Sequence, residues 1–75
     1  MITDKHSRAA RAVLGWTKQD LANKSGLGTT TISEFESGKR KDMRLSTARM
    51  IREAFEKAGI EIIEGDRPGI TWRKP

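Results

Sequence analysis

Between Thr17 and Gly38 the chain places Leu21, Ala22, Gly26, Leu27, Ile32 and Phe35 at offsets that suit two short helices crossing at a steep angle. Ala22 is small enough for the second helix to approach closely, and Gly26 supplies the positive φ of a tight turn. Leu27, Ile32 and Phe35 fill the angle between the two rods. Six matches at fixed offsets constrain a fold far more than a lone glycine motif does. The pattern is that of a helix-turn-helix, spanning residues 18–37.

The elements around it follow from periodicity and stop signals. A first helix is expected from Asp4 to Leu14, with Ala9, Ala10, Val13 and Leu14 on one side and Gly15 as its end. Thr17 is the N-cap of the second helix and Asp20 its capping-box acid. Leu21, Ala22 and Ser25 form that helix's inner face. The third is expected over Thr29 to Ser37, closed by Gly38, with Ile32 and Phe35 inward; so short a helix must be held by packing. In the fourth and longest, Ser46 is the expected cap, and Leu45 and Met50 the hydrophobic staple. Its apolar stripe is Ala48, Ile51, Ala54, Phe55 and Ala58, and Gly59 closes it. "IEII" at 60–63 and "ITWR" at 70–73 have strand composition, and the intervening "EGDRPG" is dense in turn residues.

The expected fold class is therefore mainly α: a four-helix domain carrying the helix-turn-helix, with a short C-terminal β-hairpin or strand pair. With 75 residues one domain is expected, its helical part at 1–59 and its β-like extension at 60–75. There is no cysteine, so no disulfide or thiolate metal site is available. No apolar run approaches the ~20 residues of a membrane span, and the start lacks a secretory apolar stretch. A cytoplasmic protein is expected.

The charge is lopsided. Residues 1–52 hold eleven Lys or Arg against five Asp or Glu, net +6, whereas residues 53–75 hold four against five, net −1. A basic half of this kind attracts polyanions and speeds encounter with them.

The stretch "TKQDLANKSGLGTTTISEFESGKRK" resembles the helix-turn-helix of the phage repressor and Cro type, the Xre family of regulators, whose pattern runs Thr-Gln, Leu-Ala, Gly, Ile-Ser and Glu-x-Gly. The likeness continues through "IREAFEKAGIEII", covering roughly residues 5 to 63. One departure is that Lys18 stands directly after the cap Thr17, with the glutamine one place later as Gln19. A phosphate contact survives that change; a bidentate base contact from this position does not.

The resemblance implies double-stranded DNA binding, transcriptional regulation and, by extension, repression by a homodimer. With Ile32 and Phe35 inward, Thr29, Thr30, Ser33 and Glu34 point away from the core and are the expected base-reading residues. Short hydroxyls suit several base edges, and a threonine methyl packs on a thymine methyl. Lys18, Gln19, Thr31, Lys39, Arg40, Lys41 and Arg44 are the expected phosphate contacts, which supply affinity and register but no sequence choice. In similar proteins an arginine of the first helix pairs with the glutamate at the end of the recognition helix; here these are Arg11 and Glu36, a structural ion pair. Ile60, Ile62, Ile70 and Trp72 of the β-like tail are the expected dimerisation residues.

Trp16 is read as a core plug between the first two helices. Trp72 either covers the fourth helix or meets a second chain. His6 is the sole histidine, and with no cysteine and no nucleophile motif beside it, no catalytic, metal or cofactor role is expected. An alternative function class is a protein-binding module, such as an antitoxin, that uses the helix-turn-helix for autoregulation and offers its β-forming tail to a protein partner.

Overall fold

The computed structural model describes residues 1–38 and 45–73. The elements run α1 (Asp4–Leu14), α2 (Lys18–Ser25), α3 (Thr29–Glu36), α4 (Leu45–Lys57), β1 (Ile60–Ile63) and β2 (Gly69–Trp72). Among the described residues the strands form one antiparallel two-stranded sheet, with Ile60 opposite Trp72 and Ile62 opposite Ile70.

The starts of α1 and α2 are set by side chains. At α2, the Thr17 hydroxyl accepts from the Asp20 amide at 3.1 Å, and the Asp20 carboxylate accepts from the Thr17 amide at 2.9 Å. This reciprocal pair satisfies two amides that no helical carbonyl can reach. At α1 the same box is built with a histidine: the Thr3 hydroxyl accepts from the His6 amide, and His6 Nδ1 accepts from the Thr3 amide at 3.0 Å. Because Nδ1 accepts, the ring proton sits on Nε2, which donates to the Ile63 carbonyl at 2.8 Å. His6 is thus a buried strut between α1 and the end of β1.

The core is a single apolar cluster of Ile2, Ala10, Leu21, Ala22, Ile32, Phe35, Ala48, Ile51, Ala54, Phe55, Ile60 and Ile62. α4 supplies its centre: Ala48, Ile51, Ala54 and Phe55 are all buried. Trp16 stacks on Phe55 with ring centroids 5.7 Å apart, so it plugs the core against α4 as well as sealing the α1–α2 turn. Gly59, at φ +92°, turns the chain from α4 into β1, and a side chain there would collide with the Arg73 carbonyl. Only glycine fits both constraints.

Three local expectations are corrected. In α1 the inner face is His6, Ser7 and Ala10, while Ala9 and Val13 are exposed. The helix is rotated because Ser7 and Arg11 must reach Glu36 and His6 must reach Ile63. Ser46 is the second residue of α4, so it is not the cap, and Leu45, 62% exposed, is no staple. Finally, Ile60 and Ile62 are 2% and 5% exposed. Their side chains complete this chain's own core, so they are not offered to a second chain.

Candidate nucleic-acid interface

α2 and α3 meet through Leu21, Ala22, Ile32 and Phe35, all buried, across the turn at Gly26, whose φ is +78°. Two helices of eight residues each would not persist alone. Packing of α2 on α4, and of α3 on α1 and α2 around the apolar cluster, therefore fixes how α3 is held.

A second, polar device fixes its C-terminal end. Glu36 is buried, yet its carboxylate is fully partnered. Arg11 Nε donates to Oε2 at 2.9 Å and Arg11 Nη2 to Oε1 at 2.7 Å, a two-pronged geometry. The Ser7 hydroxyl adds a bond to Oε2 at 2.6 Å. Arg11 Nη1 donates to the Trp16 carbonyl at 3.1 Å, tying the same guanidinium to the α1–α2 turn. Arg8 donates to the Glu36 main-chain carbonyl and pairs with Asp4 at 3.0 Å. Asp4 in turn lies against Gly38, where a side chain would come within 3.2 Å of its carboxylate.

Burial pushes the Glu36 carboxyl up, but the Arg11 and Ser7 hydrogen bonds and the positive charges of Arg11 and Lys18 outweigh it. The net effect holds Glu36 below the ordinary carboxylate range. The hydrogen bond to Glu36 raises Arg11 above its usual value despite burial. Both groups are therefore charged at neutral pH, and the acid beside the helix-turn-helix is neutralised from within.

The opposite face of α3 is polar. Thr30 is exposed, and Thr29, Thr31, Ser33 and Glu34 are half-exposed. No side chain caps α3, whose N-cap is Gly28, and its first turn contains no acid. Its first amides are consequently open to an outside acceptor. Lys18 and Gln19, both exposed, stand at the first turn of α2. Gln19 donates its side-chain amide to Asn23 at 2.9 Å, one turn on. Lys39, Arg40, Lys41 and Arg44 lie outside the described residues.

A helix-turn-helix family model matches residues 8–62, from the middle of α1 into β1. The chain belongs to that family. It is a DNA-binding helix-turn-helix regulator of the Xre and Cro type. No curated relative matches the sequence. Among the described residues no helix is long and apolar enough to cross a membrane, and no group of three or more His, Cys, Asp or Glu side chains could hold a metal ion.

In this family context, Ser7, Arg8 and Asp4 are the positioning residues that sequence reasoning missed. The available signal was spacing: Asp4 with Arg8, and Ser7 with Arg11, each stand one turn apart on one side of α1. Nothing in one dimension says that this side faces α3. Ile70 is half-buried and Trp72 is 42% exposed, on the strand farther from the core.

Proposed function

We propose that this regulator is a sequence-specific repressor that binds double-stranded DNA as a homodimer at an inverted-repeat operator. The observation that carries the proposal is the two-sidedness of α3. Its apolar side and Glu36 are held by α1, α2 and the apolar cluster, while Thr29, Thr30, Ser33 and Glu34 occupy the exposed and half-exposed remainder.

In the major groove, Thr29, Thr30 and Ser33 meet base edges through hydroxyls and methyls, and Glu34 accepts from a cytosine amino group. Lys18, Gln19 and Thr31 bind phosphates flanking the groove, together with Lys39, Arg40, Lys41 and Arg44 beyond α3. The uncapped amides of α3 add a neutral donor set for a phosphate. A single domain of 75 residues reads few base pairs, so specificity requires two copies on half-sites about 34 Å apart.

The test is selection of bound duplexes from a random pool, followed by affinity measurements across salt. An inverted repeat among the selected sequences and a steep linear fall of log affinity with log salt are expected. Selection of no common sequence, or affinity insensitive to salt, overturns the proposal.

A further inference from the structure

A cleft of about 500 Å³ lies between the first turns of α1 and the start of β2. That volume falls within the roughly 300–1,000 Å³ of small-molecule sites. Its surface is mostly carbon, from Ala9 on the helix side and from Pro68 and Ile70 on the strand side. Ala9 is exposed, so the cleft is open to solvent along α1.

Most of the polar groups that line it are already engaged. Asp4 pairs with Arg8 at 3.0 Å, which neutralises its charge within α1. The Thr3 hydroxyl and His6 Nδ1 meet each other at 2.9 Å, and His6 Nε2 donates to the Ile63 carbonyl at 2.8 Å. Lys5 differs from these neighbours. It lines the cleft and is exposed, and its ammonium has no hydrogen bond or ion pair among the described residues.

The strand adds one main-chain donor. The Arg73 amide donates to the Gly59 carbonyl at 2.9 Å, so these two residues are a hydrogen-bonded pair, and such pairs alternate along an antiparallel ladder. Glu61 with Thr71 and Ile63 with Gly69 are the next ones. The amides of Ile70 and Trp72 therefore point away from β1, and they meet no main-chain partner among the described residues. Of the strand residues lining the cleft, Gly69 has its amide paired with Ile63 and Pro68 has no amide. Ile70 is left as the free donor.

We propose that this cleft binds a small apolar carboxylic acid. Its carbon body lies against Ala9, Pro68 and Ile70, and its carboxylate is held by the Lys5 ammonium and the Ile70 amide. The inference is independent of the DNA-binding reading. The ligand's chemistry follows from what is left unpaired: one cation and one amide border an apolar trough, which is complementary to a single negative charge on a carbon frame. A cationic ligand finds no such partner, because the carboxylate on the wall belongs to Arg8. A phosphate ester fits less well, since it brings nearly two charges and three acceptor oxygens to one cation. The occupant would join α1 to β2 and stabilise the folded chain by mass action. It would also brace the helix whose Ser7 and Arg11 hold Glu36.

The experiment titrates the full chain, without DNA, with naphthylacetate and separately with its uncharged analogue naphthylacetamide, following backbone amide shifts by NMR. Saturable shifts centred on Lys5, Ala9, Gly69 and Ile70 are expected, with a dissociation constant of about 1 mM or tighter for an acid of this size. The amide should bind at least about threefold more weakly. Lys5→Gln should bring the acid down to the amide's affinity and leave the amide unaffected. Ala9→Phe directs a ring into the cleft from an exposed helix position and should remove binding of both, with helix content unchanged by circular dichroism.

Shifts that do not saturate or that scatter over the basic surface overturn the proposal, and so does an amide that binds as tightly as the acid. Acid binding undiminished in Lys5→Gln overturns it as well. That comparison decides alone should Ala9→Phe fail to fold.

Discussion

α1 and α4 both pack against the rest of the domain, but they do so by different physics. α4 presents Ala48, Ile51, Ala54 and Phe55 to the core and makes no buried polar bond among the described residues. α1 presents His6, Ser7 and Ala10, and through them and Arg11 it makes directional bonds to Glu36 and Ile63. Burial of apolar area is indifferent to small rotations, whereas a bidentate guanidinium is not. α4 therefore supplies cohesion, and α1 sets the pose of α3 on which DNA reading depends.

Substitutions can break this contrast, and the largest effect belongs to α4. Phe55→Ala removes a fully buried ring on which Trp16 stacks, and should cost about 3–5 kcal/mol. In a domain of this size that leaves little or no folded protein at 25 °C, as circular dichroism would show.

Arg11→Ala strands the buried Glu36 carboxylate and should cost about 3 kcal/mol. Thermal melting should show a fall of well over 10 °C. Arg11→Lys should recover only part of it, because a single ammonium cannot make both prongs. Full recovery by lysine would show that charge alone, without geometry, holds α3.

Acid should act through the same pair. Glu36 titrates below its ordinary value of 4.5 in the folded protein, so it contributes stability that is present above that value and lost as pH falls through the folded one. Arg11, raised above its usual value by the hydrogen bond to Glu36, contributes nothing pH-dependent in the neutral range. The stability difference between the wild type and Glu36→Gln, measured by urea unfolding, should be flat near neutrality and shrink below about pH 4.5. A difference that grows with acid would refute the assignment.

The smallest effects on stability should come from the solvent side. Thr30→Ala should change stability by less than about 0.5 kcal/mol while costing about 1–3 kcal/mol of discrimination at one base pair, seen in titrations of operator variants. Lys18→Ala should weaken all duplexes alike and lower the slope of log affinity against log salt by about one. If Lys18→Ala instead changed the preferred sequence, the division into positioning and reading residues would fail.

Much of the architecture could be read in one dimension because its signals are local. Thr17 with Asp20, Gly26 and the α4 stripe each act within a turn or two of chain, and each stands where spacing places it. The Arg11 and Glu36 pair is implied by the resemblance to the family, and the fold brings the two into contact. The rest of that network was not legible. Ser7 and Arg8 read as surface residues of a helix whose apolar pattern, through Ala9 and Val13, pointed to the wrong face.

Local order was thus written in the chain: where helices start and stop, which apolar side α2, α3 and α4 turn inward, and the crossing of α2 and α3. Those features depend on residues a few positions apart, whose mutual geometry secondary structure already dictates. The rotation of α1, the burial of Ile60 and Ile62, and the outward pair of Ile70 and Trp72 emerged from long-range packing. Each is settled by atoms 25 or more residues away, or by the phase of a ladder, and a distant partner leaves no periodic mark on the sequence.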